Sequence, residues 1–323
     1  MEMRDFGLKV GVLVLSSDNN EPNTAERASN DSGSLITKCF TFQELYDATQ
    51  NFSPDCQVDI GSFGNVYRGK LGETGEIVAI EHFDRNGPRG NREFLVQVMM
   101  LSILHHPNLI NLIGYCAEDG NERFLVHEYL SLGSLDKHLH DRSSQEKPPI
   151  DWYTRIKIAL GTASALEFIH HKAIPSVIYR NLKPSNILLD SDFNAKLYDF
   201  GLSLDLLADV YSFGVFLLEL ITGRRAVDMT RPPKEQNLVF WALRILKKPK
   251  KFPELADPLL QGKFPSQGFI KALAVAAMCL QEQQTARPMM SDVVAAIMSI
   301  SSDDNLDDNM ISLPHEAYVE HLT

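Results

Sequence analysis

Apolar and polar positions change their period along this chain. Between Gln57 and His82, VDIGSFGNVYRGKL reads as two extended runs around a Gly-containing turn, and EIVAIEHF alternates residue by residue, as strands do. NREFLVQVMMLSILHH reads as a helix with Asn91 as its cap and Pro107 as its break. LINLIGYC and RFLVHEYL return to strand character. After Gly133 the pattern is helical: Ile156, Ala159, Ala163, Leu166 and Ile169 form one stripe behind an Asp151 cap. DVYSFGVFLLELITG, NLVFWALRIL, FIKALAVAAMCL and SDVVAAIMSI carry the later helices. Ahead of the strands, Thr41 and Glu44 have capping-box spacing, and Phe42, Leu45, Tyr46 and Thr49 share a helical face. A short amphipathic helix that packs against the next segment is expected there. Strands first and helices second predict an α+β chain, with a small β-rich lobe on a larger helical one.

The ends differ in character. Ser16 to Ser34 is rich in Ser, Asn, Asp and Glu and is expected to be a disordered linker. The last twenty or so residues are acidic and expected to fray. The resulting division is 1–38 as an N-terminal segment, 39–55 as a flanking helix, 56–300 as the main domain (lobes 56–130 and 131–300) and 301–323 as a tail.

Composition narrows the function classes. A net charge of −11 disfavours broad attraction to nucleic acid or to an anionic membrane. The basic run LKKPKKFP is read as a solvated loop. The four cysteines, Cys39, Cys56, Cys116 and Cys279, are far apart, which suits reduced thiols rather than a disulfide framework or a zinc site. The pairs His105–His106 and His170–His171 read as structural. KVGVLVLSS is too short to span a bilayer, and Glu2 stands where N-myristoylation needs glycine. No transmembrane segment is expected, and a cytoplasmic location is.

Seven strings then fall in one order: GSFGNVYRG, VAIE, REFLVQV, YRNLKPSNILL, YDFG, DVYSFGV and ARP. Their order resembles the signature set of protein kinases. FTFQELYDATQNF, ILHHPNLINLIGYC, GSLDKHLH and ALAVAAMCLQ more narrowly resemble plant receptor-like cytoplasmic kinases, over roughly Cys39 to Ile300. The resemblance implies a bilobal protein-kinase-like fold, ATP and Mg²⁺ as cofactors, and serine/threonine phosphorylation. Receptor kinases or other protein kinases are the implied partners, with the plasma-membrane periphery, reached through a partner, as the alternative location. It also implies an adenine pocket of Val66, Ala79 and Leu188 under a loop containing Gly61 and Gly64. Asn186 and Asp199 correspond to its metal-binding positions.

The departures from that pattern bear on chemistry. In the Gly-rich loop, Asp59 stands at the first glycine position, adding an anion where backbone amides approach phosphates. The strand lysine that holds the α/β-phosphates is Glu81 here. Ala79 and Glu81 share a strand face, so Glu81 also points into the cleft. At ~4 Å and an effective dielectric of ~20, each unit charge changes such a contact by about 4 kcal/mol. The helix glutamate that pairs with the lysine aligns with Gln97, and Glu81 and Gln97 can hydrogen-bond instead. Lys70, at the far end of its strand, is a poor substitute cation. The catalytic-loop aspartate is Asn181, an amide and no base, while Lys183 and Asn186 are retained.

Only Leu202 to Ala208 separate Asp199–Phe200–Gly201 from DVYSFG. By comparison with the family, about thirty residues of activation segment are missing. Arg180 and Arg287 thereby lose their customary partners, and Arg287 must either find another carboxylate or leave the lobe weak. The short link still spans up to ~25 Å, and Asp209 is expected to hydrogen-bond the catalytic-loop backbone, so the fold is expected to close. A skipped exon would account for the gap but not for Glu81, Gln97 or Asn181. These departures favour a catalytically inactive kinase relative acting as a binding or regulatory module, with a weakly active serine/threonine kinase as the alternative.

Overall fold

The computed structural model of the chain describes residues 37–61, 64–83, 90–118, 122–141, 148–174, 176–200 and 206–302. The expected linker at Ser16–Ser34, the acidic tail from 303 and positions 201–205 of the link expected to be shortened lie outside the described residues.

The first half of the chain builds a six-stranded sheet in the order β1-β5-β6-β4-β3-β2. The strands are β1 (Lys38–Cys39), β2 (Gln57–Ile60), β3 (Asn65–Lys70), β4 (Ile77–His82), β5 (Leu112–Cys116) and β6 (Phe124–Glu128). Only β1 pairs in parallel, with β5; the others are antiparallel neighbours. That parallel pairing depends on Gly114, where a Cβ would fall 2.2 Å from the Lys38 carbonyl oxygen and 2.5 Å from the Phe40 ring. Ahead of the sheet, α1 (Phe42–Ala48) forms where the capping box put it. The Glu44 amide donates to the Thr41 hydroxyl at 3.2 Å, and the Thr41 amide to the Glu44 carboxylate at 2.7 Å.

Strand β4 has neighbours on both sides, and its two faces meet different surroundings. Val78 and Ile80 join an outer core with Phe40, Leu45 and Phe124, beneath α1. Ala79 and Glu81 point the opposite way, as strand alternation requires, and both are buried. The helix α2 (Gly90–Ile103) places Phe94, Val98 and Leu101 in a larger core that continues into the helical half. It already includes Asn91, so that residue lies in the first turn and does not cap the helix.

The second half is helical, with α3 (Leu135–Leu139), α4 (Trp152–Glu167), α5 (Leu206–Thr222), α6 (Leu238–Leu246), α7 (Ser266–Cys279) and α8 (Met290–Ser302). Asp151 caps α4 by accepting the Thr154 amide at 2.8 Å. The Ile156–Ala159–Ala163–Leu166 stripe is buried, and α4 packs on α8 as α5 packs on α7. A small sheet that periodicity does not reveal, β7 (Gly133–Ser134), β8 (Ile187–Leu189) and β9 (Ala195–Leu197), lies in this half. Among the described residues, no helix is long and apolar enough to cross a membrane.

Candidate functional site

The site lies where the large sheet meets β8 and β9. Asn186 closes a one-turn helix, Pro184–Asn186, that leads into β8, and Asp199 follows β9 by two residues. Asn181 donates its amide to Asp199 Oδ2 at 2.6 Å, and Asn186 donates to the same oxygen at 3.3 Å and to the Asn181 carbonyl at 2.9 Å. Asp199 and Arg180 both have left-handed backbones, with φ of 67° and 72°. For residues with side chains this is a strained conformation of the kind that gathers at working sites. Lys183 is exposed at the start of the turn.

The loop is anchored from below by Asp209, in the first turn of α5. Its carboxylate accepts the Tyr179 and Arg180 amides, each at 2.6 Å, and lies 2.9 Å from His170 Nε2. This is the contact expected of Asp209, made by a fully buried side chain. Tyr179 is also buried; its hydroxyl donates to the carbonyls of Asn186, at 3.2 Å, and Tyr198. Burial, together with the Asp199 carboxylate, pushes its phenol well above the ordinary value.

Arg287 takes partners other than the carboxylate considered for it. Its guanidinium donates to the Leu207 carbonyl at 2.7 Å and the Gln281 carbonyl at 2.9 Å, and lies 4.9 Å from the centre of the Tyr211 ring. Carbonyl oxygens and an aromatic face, rather than a second carboxylate, satisfy the cation.

On the sheet side, Val66 pairs with Glu81 across β3 and β4, with Ala79 two residues along the same face. Glu81 is fully buried and accepts the Tyr198 hydroxyl at 2.5 Å. Gln97 turns to Phe200 instead of Glu81: its Nε2 donates to the Phe200 carbonyl at 2.6 Å, and its Oε1 accepts the Phe200 amide at 3.2 Å. Both altered positions therefore bind the segment between β9 and the link. Gly61 lies against the Glu81–Tyr198 pair and beside Val66, and its amide donates to the Gly64 carbonyl at 2.7 Å. Leu188 is half-buried on β8. Lys70 is exposed at the end of β3 opposite Ile77, four positions beyond Val66.

Three contributors do not stand out in the sequence. Tyr198 stands directly before Asp199. His127, on β6 opposite Ala79, has its ring centre 5.8 Å from that of Tyr198, and burial pulls its imidazole down to about 4. Lys137, on α3, holds Asp59 at 2.7 Å. The bulk of Tyr198 directly before Asp199 is the one visible signal; the other two depend on the fold.

A sheet-based half, a helical half and an Asn–Asp pair on a strained loop between them define a protein kinase domain. The protein kinase domain family matches residues 54–207. The probable serine/threonine-protein kinase PBL26 of Arabidopsis thaliana is 50% identical over 345 aligned positions, covering 94% of this chain and 82% of that protein. The probable serine/threonine-protein kinase PBL7 of the same plant is 50% identical, covering 86% and 81%. The serine/threonine-protein kinase PBS1, also from that plant, is 48% identical, covering 92% and 72%. The chain belongs to the receptor-like cytoplasmic kinases of the protein kinase superfamily. That superfamily uses ATP and Mg²⁺.

Proposed function

We propose that this chain is a catalytically inactive receptor-like cytoplasmic kinase, a binding or regulatory module that contacts receptor kinases or other protein kinases. One observation carries the reading: at the position of the catalytic base stands Asn181, whose amide donates to Asp199 at 2.6 Å. A donor amide accepts no proton from a substrate hydroxyl at physiological pH. Burial of Glu81 reinforces this, because a triphosphate at the lysine position would meet a carboxylate in place of an ammonium group. Asp199 and Asn186 can offer oxygen atoms to a divalent cation, but the phosphate side of the cleft does not suit the nucleotide. The proposed loss of an activation segment fits as well. The alignment with PBL26 is longer than this chain's 323 residues, so that relative carries residues with no counterpart here.

Weak serine/threonine kinase activity is the alternative, favoured by the pair of hydrogen bonds between Gln97 and Phe200, which keeps α2 docked on the segment that follows Asp199. Thermal-shift titration with Mg-ATP, then autophosphorylation with labelled ATP, separates the two. The expected result is no nucleotide-dependent shift and no incorporation. Incorporation that vanishes in Asp199→Ala would overturn the inactive reading.

A further inference from the structure

We infer that the exposed side of α6 and the lysine-rich turn after it form a docking surface for an anionic lipid bilayer. The surface shares no residue with the cleft, and the inference stands apart from the inactive reading.

The sequence supplies the charge and the helix arranges it. From Val227 to Glu254 the chain carries seven basic and three acidic residues, against a net charge of −11 overall. In α6, Leu238, Val239, Ala242, Ile245 and Leu246 are buried, which leaves the opposite side to solvent. At 3.6 residues per turn, Phe240, Arg244 and Lys247 fall within about 60° of one another on that side, and all three are exposed. Two tight turns carry the charge onward: the Lys248 amide donates to the Ile245 carbonyl at 2.8 Å, and the Lys251 amide to the Lys248 carbonyl at 2.7 Å. Lys247, Lys248, Lys250 and Lys251 are thereby held together at one end of the face, every one of them exposed. Among the described residues, Lys251 alone of these four has a carboxylate within ion-pair distance, Glu254 at 2.8 Å. The chain has 42 acidic residues to draw on, yet the fold brings one to four adjacent ammonium groups. Like charges left together repel, and an external anion relieves them.

The other end of the face is apolar. Phe240 is 71% exposed, Met229 73% and Val227 59%. Val227 bridges Asn237, which caps α6 by accepting the Phe240 amide at 3.0 Å, and Gln236 donates to the Met229 carbonyl at 3.4 Å. A basic stripe that ends in exposed apolar side chains suits a surface lying on lipid, with ammonium groups among the headgroups and the ring at the acyl boundary. An acidic peptide fits it less well. The face is the outer side of a helix rather than a groove, and its charges are mostly lysine, which lacks the planar fork that matches a carboxylate. Arg244, the arginine on the helix, already donates to the Lys234 carbonyl at 2.7 Å.

The test measures partition of the full chain onto vesicles of phosphatidylcholine alone, and onto vesicles with about 30% phosphatidylserine, in about 0.1 M salt. Binding should require the anionic lipid and fall away at about 0.5 M salt, where screening is stronger. Each lysine lost should lower partition about fivefold, so Lys247→Gln, Lys248→Gln and Lys250→Gln together should lower it roughly a hundredfold. Phe240→Ser should lower it about tenfold through lost insertion. Lys38→Gln with Lys70→Gln removes two exposed charges from the large sheet, and should change partition by less than about twofold. Equal partition onto both kinds of vesicle would overturn the proposal, as would a loss in the Lys38–Lys70 control as large as in the triple variant. Binding of soluble polyglutamate without binding of vesicles would overturn it too, and would assign the face to an acidic protein segment. If a variant does not fold, the wild-type comparison of the two vesicles and its salt dependence decide.

Discussion

At the scale of single residues, two buried titratable groups act in opposite directions on stability. Burial lowers the His127 imidazole from 6.5 to about 4 and raises the Glu219 carboxyl from 4.5 to about 7. Between about pH 4.5 and 6.5 the unfolded chain binds a proton at His127 that the folded chain does not, so this contribution to stability grows as pH rises. Over the same window the folded chain keeps a proton on Glu219 that the unfolded chain releases, so that contribution falls as pH rises. The two slopes nearly cancel in the wild type. His127→Phe should then show stability falling by about 2–3 kcal/mol across the window relative to wild type, and Glu219→Gln should show it rising by as much. Urea unfolding at a series of pH values measures both; parallel curves for all three proteins would contradict the assignment. Neither residue is conspicuous in the sequence. Asn181, Asn186 and Asp199 were legible because the loop that joins them is local. The Tyr198–Glu81 bond spans 117 residues and the Lys137–Asp59 bond 78, so their pairing exists only in the fold.

At the scale of elements, the start of α5 is fastened from two directions. Asp209 fastens the helix to the Tyr179–Arg180 segment through two backbone amides, and Arg287 fastens the same turn through the Leu207 carbonyl. Asp209→Ala strands one buried and one partly buried amide together with buried His170, and should lower stability by about 3–5 kcal/mol. Arg287→Met loses hydrogen bonds to half-buried carbonyls and should lower it by about 1–2 kcal/mol. Chemical denaturation of both variants checks the order, and an Arg287 effect as large as that of Asp209 would place the weight elsewhere. Long elements were readable because their period repeats: α4 with its Asp151 cap and α1 with its box formed where the pattern put them. The two- and three-residue strands β1, β7, β8 and β9 are too short for a period to register, and pairing alone makes them strands. Strand β4 alternates as expected, yet both its faces are buried, because α1 covers one and the cleft the other.

At the scale of the whole molecule, the matched kinase domain is smaller than the unit that packs. The family match begins at residue 54, whereas Phe40 and Leu45 lie in the outer core with Val78, Ile80, Phe124 and Val126. Phe52 stacks on Phe124 with ring centres 5.0 Å apart and planes 6° from parallel. Residues 40–53 thus form the roof of the sheet, and the back of β4, the strand that carries Glu81, is kept dry by them. Trimming the chain to begin at Pro54 should expose that face, lower the melting temperature and increase binding of a hydrophobic dye. Within the full chain, Leu45→Ala removes a fully buried side chain from the same roof and should lower stability by about 2–5 kcal/mol. Thr41→Ala, which loses only the cap, should lower it by about 1 kcal/mol. A trimmed chain that melts with the intact one would mean that the sheet stands without its roof, and that the flanking helix serves something other than the fold.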